Sequence, residues 1–333
     1  MSLRVVKPGL FTTVQDLGRF GLQHIGVVPC GAMDPISHQV ANALVGNEAT
    51  DATLEITVRG PVLEFAHAAL IALQGADFAA NVDGHPVPRG RPVLVGPGAI
   101  LDCGAVRLGC RAYLAIAGGI AVPEVLGSRS TYVTAGFGGF AGRALKAGDR
   151  VALADGADDL SLARGAKLGL RGKRILESVS WHAPDLTLTH EPEIRVHALE
   201  GRHVELFDAA SIDAFFGAQW KVLPDSNRMG FRLGGPALQR AVPGDILSEA
   251  TCLGTVQVPA DGAPIVLMAD HQTTGGYAKI AEVAGADIPR LAQAMPGSVV
   301  RFGRVDHAIA DALRGVQEHH LASLKRTLAW NFR

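Results

Sequence analysis

Along the first half of the chain, apolar residues fall in short runs cut by glycine and proline. Val62–Phe65 and the stretches 69–73 and 78–82 have the length and character of strands. Asp83-Gly84 lies between Val82 and His85, and that dipeptide tolerates the two positive φ angles of a type I′ hairpin turn. Further strands are predicted at 92–95 and 99–103, on either side of Gly96-Pro97-Gly98. A helix is predicted over 36–45, with Asp34 as N-cap, Pro35 at the first position and Gly46-Asn47 as the stop. In the second half the pattern gives a helix at 209–216 and strands at 204–207, 254–258 and 264–269. Near the end, Ile309, Leu313, Val316, Leu321, Leu324 and Leu328 recur at steps of three to five, which predicts an amphipathic terminal helix over 306–330.

A turn followed by a strand recurs. Gly96-Pro97-Gly98, Lys146-Ala147-Gly148 and Met295-Pro296-Gly297 each precede an apolar run. Asp16-Leu17-Gly18-Arg19-Phe20-Gly21 faintly echoes Ser226-Asn227-Arg228-Met229-Gly230-Phe231. Both hints suggest two related β-rich halves. The stretch 155–174 is rich in Gly, Asp, Arg and Lys, and 182–192 is polar with two prolines, so the junction is placed between about 160 and 190. The expected organisation is an N-terminal unit over 1–175, a C-terminal unit over 190–305 and a terminal helix over 306–333.

Composition narrows the function classes. At 48% hydrophobic, the 333 residues can build one large core or two medium ones. A net charge of -1 offers no basic footprint for nucleic acid. The N-terminus shows no apolar signal-peptide core, and the apolar stretch 112–126 is interrupted by Gly118, Gly119 and Pro123, too short for a span of roughly 20 residues. No membrane association is expected. Cys30, Cys103, Cys110 and Cys252 form no CxxC pair and read as reduced thiols of a cytoplasmic protein.

Several familiar chemistries lack their motifs: there is no GxxxxGK[ST], GxSxG or HExxH. The glycine-rich stretch 136–142 lacks dinucleotide-binding spacing and reads as a flexible loop. No Ala-Met-Lys-Met segment is present, so no covalently attached biotin is expected. Twelve histidines lack ligand spacing, and His319-His320 would point apart on a helix, so no metal site is expected.

Three segments mix polar side chains with glycine. In the first, Pro8 to Gly21 with Gly31-Ala32-Met33-Asp34, the residues Gln15, Asp16 and Arg19 suit a small polar ligand; equally, Asp16 can pair with Arg19 and Asp34 cap a helix. In the second, Ser128-Arg129-Ser130-Thr131 can cradle an anion, or Arg129 can tie two loops together. The third is Thr255-Val256-Gln257-Val258-Pro259 with Asp270-His271-Gln272-Thr273-Thr274-Gly275-Gly276-Tyr277. Hydroxyls, amides, a carboxylate and a phenol flank a double glycine there, which favours a ligand site over a capped turn.

This third segment, together with the other two and with Ser226 to Leu233, resembles the allophanate hydrolase subunit 2 family, which is biotin-dependent carboxyltransferase-like, from about Val5 to Phe302. The resemblance implies a mainly β fold with a few helices, built as two cyclophilin-like β-barrel units. Family members act beside B-type subunits, as C-type subunits of ATP-dependent 5-oxoprolinases, as carboxyltransferase parts of urea carboxylases, or as antagonists of a kinase inhibitor. A chain without B-type, biotin-carboxylase or biotin-carrier regions resembles the 5-oxoprolinase arrangement most. It implies a subunit that opens 5-oxoproline to L-glutamate only in complex with A- and B-type partners, with ATP at an atypical site or on those partners. The alternatives are a carboxyltransferase and a non-catalytic regulator. For the hydrolase, Asp16 or Asp270 would act as base, with Gln272 as a further catalytic group. Arg19, Arg129 or Arg228 would bind the substrate carboxylate, and Gln257, Gln272, Thr273 and Thr274 would donate hydrogen bonds. Gln257, Asp270, Gln272, Thr273, Thr274 and Tyr277 are expected to line one pocket. His271 and Ser248-Glu249-Ala250 depart from the family pattern; a titratable His where relatives carry Arg bears on the substrate.

Overall fold

Three of the strands start from the same turn. Gly98, Gly148 and Gly297 have φ of +78°, +89° and +93°, and the residue after each donates its N–H three residues back, to Gly96, Lys146 and Met295. Glycine reaches that left-handed conformation without steric cost. The strands Ile100–Asp102, Arg150–Ala152 and Val299–Arg304 follow. Asp83 and Gly84 also take positive φ, +48° and +84°, and close the hairpin between Asn81–Val82 and His85–Pro86.

The computed structural model describes residues 2–333 apart from Lys173, Pro243 and Asp245. The fold is mainly β, and the chain divides into two units. The first comprises Met1–Arg19, Asp34–Leu188 and His320–Arg333, and the second Phe20–Met33 and Thr189–His319. Neither is a single stretch of chain, because Phe20–Met33 and the end of the terminal helix each leave the sequence-contiguous half. A composition shift along the chain carries no signal for such an exchange.

In the first unit, two six-stranded antiparallel sheets enclose one core. The orders are Arg150–Ala152, Ser2–Lys7, Val62–Phe65, Ile100–Asp102, Asn81–Val82, His85–Pro86, and Leu176–Ser178, Val93–Val95, Ala69–Phe78, Val106–Ile116, Thr53–Thr57, Phe11–Gln15. Alternation sends Val14, Leu54, Ile56, Leu73 and Leu114 of the second sheet into that core. The other face of the same sheet is polar yet buried. Thr13, Glu55, Tyr113 and Gln74 are register partners across four strands. The helix Pro35–Leu44 lies over this face, its Asp34 cap accepting the Ser37 N–H at 2.9 Å.

The second unit is a closed barrel in the order Glu193–Glu200, Ala278–Val283, Thr255–Val258, Ile265–Leu267, Gly230–Gly234, Trp220–Val222, Val299–Arg304. The parallel pairing of Glu193–Glu200 with Val299–Arg304 closes it, and Val256, Val258, Phe231, Ile280 and Phe302 fill it.

Some expectations are corrected. Residues 204–207 hold a 3-10 turn, Val204–Leu206, and not a strand. The strand expected at 69–73 continues to Phe78, past a bulge in Val106–Ile116 opposite Gly75, where a Cβ would lie 2.6 Å from the Arg111 carbonyl, and of 78–82 only Asn81–Val82 forms a separate strand. Part of the charged stretch 155–174 is the helix Ala157–Lys167. The glycine-rich 136–142 is a packed knot, because a Cβ at Gly138, Gly139 or Gly142 would collide with Ser130, Thr131 or Gly136. The terminal helix His307–Trp330 forms, but Ile309 and Val316 are exposed and only Leu321 and Leu328 are buried.

Candidate functional site

Thr255–Val258 turns Val256 and Val258 into the barrel, so Thr255 and Gln257 stand on its outer face, both fully buried. The neighbouring strand places Glu282 opposite Thr255 and Lys279 opposite Gln257. The two-stranded ribbon of Glu249–Ala250 with Thr274–Gly275 covers this face. Lys279 Nζ donates to Glu249 Oε1 at 2.7 Å and to the Ala250 carbonyl at 2.6 Å. His203 Nδ1 accepts the Lys279 N–H at 3.3 Å, which leaves Nε2 to carry the proton toward Glu249, also at 3.3 Å.

Under the ribbon, Gln272 Nε2 donates to Gln257 Oε1 at 3.2 Å, while Gln257 Nε2 is buried without a partner among the described residues. Gly275 lies directly over that amide: a Cβ there would be 2.6 Å from Gln257 Nε2 and 3.2 Å from Gln272 Nε2. Glu282 is the other unusual group. Burial raises its pKa from the usual value, and the 2.8 Å bond from the Thr255 hydroxyl only partly offsets this. Glu249 is held low by the Lys279 hydrogen bond. The face therefore offers an amide donor with nothing to bind and a carboxyl group inclined to keep its proton.

The expected site residues separate into several environments. Gln257, Gln272 and the Gly275 backbone come together. Thr274 and Tyr277 are exposed, Tyr277 by 52%, and Thr273 is half-buried with its carbonyl taken by the Thr251 N–H. Asp270 does not fit the role of a base. It is 4% exposed and accepts two bonds of 2.8 Å from Arg228, itself 6% exposed, whose Nη2 also donates to the Gly31 carbonyl. Each charge neutralises the other, so Arg228 is equally unsuited to bind a substrate carboxylate. His271 does not replace an anion-binding Arg: burial lowers its pKa, and its Nδ1 donates to the Gln272 carbonyl at 2.6 Å.

In the first unit, Asp16 is likewise a tie. The Ser128 and Ser130 hydroxyls and the Arg129 and Gly18 N–H groups all donate to it. Burial pushes its pKa up, and these donors more than offset that, leaving it below the usual value. Arg129 pairs with Glu124 at 2.9 Å. Arg19 is the arginine of the three with no carboxylate partner among the described residues: 1% exposed, it donates to the Val125 and Ser130 carbonyls, packs over Phe137, and leaves Nη1 unpartnered.

Sequence reasoning missed Lys279 and Glu282, and marked Glu249 only as part of a departure from the family pattern. The run Ala278-Lys279-Ile280-Ala281-Glu282-Val283 spaces its polar residues by three, which a strand can bury on one face only across a bulge, and the register shifts there.

Residues 25–304 match the family described as carboxyltransferase domain, subdomain A and B. The chain belongs to that carboxyltransferase-domain family. Within this family it is 40% identical over 316 residues to the C-type subunit of the 5-oxoprolinase of Escherichia coli K12, covering 95% of this chain and 94% of that one. It is 36% identical to the protein of the same name from Haemophilus influenzae, covering 94% of each. Among solved structures, the Kluyveromyces lactis urea amidolyase superposes with a TM-score of 0.86 at 33% identity, over 97% of this chain but 20% of that one.

Proposed function

We propose that the chain is the C-type subunit of an ATP-dependent 5-oxoprolinase, opening 5-oxoproline to L-glutamate together with A- and B-type subunits. The observation that carries this reading is the end-to-end match, 95% of this chain on 94% of the E. coli relative of that name. The urea amidolyase likeness covers a fifth of a much longer protein and supports relationship more than shared reaction.

The barrel face supplies fitting chemistry. When water attacks the lactam carbon, negative charge develops on the oxygens bound to it, and the Gln257 Nε2–H would meet one of them. Movement of the short ribbon that carries Gly275 would admit the lactam. Glu282, whose pKa burial raises, would pass a proton to the ring nitrogen as the C–N bond breaks. In this reading Glu282 takes the acid–base role expected of Asp270. ATP would supply the driving force by phosphorylating the lactam oxygen with release of ADP; water would then attack the activated carbon, the ring C–N bond would break, and inorganic phosphate would leave as the carboxylate forms. The rest of the nucleotide would be held elsewhere, with only its terminal phosphoryl group reaching the lactam oxygen, because Lys279 and Arg228 are already committed to Glu249 and Asp270. With Lys279 and Arg228 so committed, a partner subunit would supply the cation for the substrate carboxylate. The chain is read as cytoplasmic; among the described residues no helix is long and apolar enough to cross a membrane.

The test is co-expression with candidate A- and B-type subunits and measurement of 5-oxoproline-dependent ADP release. The complex should turn over and the isolated chain should not. A complex that ignores 5-oxoproline but transfers a carboxyl group from carboxybiotin to urea would replace this reading with the carboxyltransferase one.

A further inference from the structure

A cleft of about 650 Å³ opens in the first unit at the corner where the chain leaves the strand Thr53–Thr57 of one sheet for Val62–Phe65 of the other. Lys7 and Arg59 line it. Arg4, three residues from Lys7 on the same strand, is paired with Glu64. Lys7 and Arg59, by contrast, have no ion-pair or side-chain hydrogen-bond partner among the described residues, although they share one concavity. The acid in the lining, Asp102, turns one carboxylate oxygen to the Gly104 N–H at 2.8 Å and makes no ion pair with either.

The walls beside these cations are bare backbone. A Cβ at Gly9 would lie 2.5 Å from the Arg59 carbonyl oxygen, and one at Gly104 would lie 2.5 Å from that of Ala79; both glycines have positive φ. The arginine follows a strained residue. Val58 has φ +61°, a region β-branched side chains avoid, and it is fastened there by three backbone bonds. Its N–H reaches the Cys110 carbonyl at 2.9 Å, its carbonyl accepts the Val106 N–H at 2.8 Å, and Arg59 N–H closes a γ-turn onto the Thr57 carbonyl at 2.7 Å. Residues held in such sparsely populated backbone conformations cluster at active sites and ligand clamps. Pro8, Leu10 and Val62 add an apolar side, with Leu10 largely exposed.

We propose that this cleft binds a phosphate-bearing small molecule, its dianionic group held between the Lys7 ammonium and the Arg59 guanidinium. Lys7 and Arg59 outnumber the one carboxylate of the lining, Asp102, so the cleft carries net positive charge that favours an anion, and a phosphate monoester brings up to two negative charges near neutral pH. The guanidinium fork grips two oxygens and the ammonium acts as a point charge on a third. The same chemistry is offered by free phosphate and by a nucleotide, whose ring would lie on the apolar side. The proposal is independent of the reaction assigned above.

Isothermal titration of the full chain with orthophosphate and, separately, with ADP tests it, at fixed low ionic strength. At least one should bind saturably, one per chain, with Kd on the order of 1 mM or below. Arg59→Ala and Lys7→Ala should each weaken binding about tenfold or more, a loss of ~1.4 kcal/mol, and Arg107→Ala, on an exposed side chain outside the cleft, should not. Binding of ADP without orthophosphate identifies a nucleotide; orthophosphate that binds and displaces ADP identifies the phosphate itself. Both cleft variants should keep the parent melting temperature, because both side chains are exposed. Absence of saturable binding by either ligand, or binding that survives both substitutions, overturns the proposal.

Discussion

Asp270→Asn is the substitution on which two readings of the polar segment part company. A catalytic base would lose turnover and leave the fold alone. The structure shows a bidentate pair with Arg228, both bonds 2.8 Å, both side chains nearly inaccessible. Asn keeps the shape and removes the charge, stranding a buried guanidinium that still holds the Gly31 carbonyl but no longer meets a negative charge there. Breaking a buried pair from one side costs about 3–5 kcal/mol. That is a large share of the ~5–15 kcal/mol by which a domain is stable. At about 2–4 °C per kcal/mol for domains of this order of size, the melting temperature should fall by roughly 6–20 °C. Removing both charges, in Asp270→Asn with Arg228→Met, should recover much of the loss, because no unpaired ion remains. Scanning fluorimetry and urea unfolding of parent, single and double variants measure this. If Asp270→Asn melts within about 1 °C of the parent while the assembled complex loses its turnover, the pair is not structural and the carboxylate is a reacting group after all.

Gly275→Ala should lower turnover of the complex with little change in melting temperature, since the new methyl displaces the Gln257 and Gln272 amides from positions 2.6 and 3.2 Å away; unchanged kinetics would remove Gln257 from the site. Glu282→Gln should stabilise the chain and reduce turnover together. Its folded pKa is raised by burial, so the folded state binds more protons above the unfolded value of 4.5, and the penalty it imposes grows as pH rises through the folded pKa; the stability gain in urea should therefore be larger at pH 8 than at pH 5. His38 is fully buried, bonded to Thr53 and the Ala49 carbonyl, and burial lowers its pKa from 6.5 to about 4. The unfolded chain binds the extra proton in that window, so stability should fall as pH drops from 6.5 toward 4, and His38→Gln should flatten that slope of the urea midpoint. Tyr113→Phe should cost about 1–3 kcal/mol in urea unfolding, because the hydroxyl both donates to Glu55 and accepts the buried Asp34 N–H, each at 2.8 Å.

How much of the site was legible depended on the range of the interaction. The alternation in Thr255-Val256-Gln257-Val258 was enough to put Gln257 opposite the core, and Gly275-Gly276 signalled a close backbone approach. The roles of the charged residues were not legible. Asp16, Asp270, Arg129 and Arg228 look alike in sequence as reactive groups. Each is answered by a partner at short range, and Asp16 and Asp270 are tied to residues 113 and 42 positions away. Glu282 escaped notice because burial, a tertiary property, raises its pKa.

What the sequence determined by itself was local. The three glycine turns, the Asp83-Gly84 hairpin, the Asp34-capped helix and the period of the strands follow from the φ angles each residue tolerates and from which face must be apolar. The family resemblance rests on such motifs too. The tertiary structure alone decided that the C-terminal strands close into a barrel through a parallel pair, and that Phe20–Met33 belongs to the C-terminal unit. It alone turned 204–207 into a 3-10 turn and packed 136–142 into a knot. It alone showed which charges are spent on one another. Backbone preference acts over a few residues and is written in them. Pairing, burial and charge compensation depend on what the fold brings alongside, and no local pattern records the neighbour.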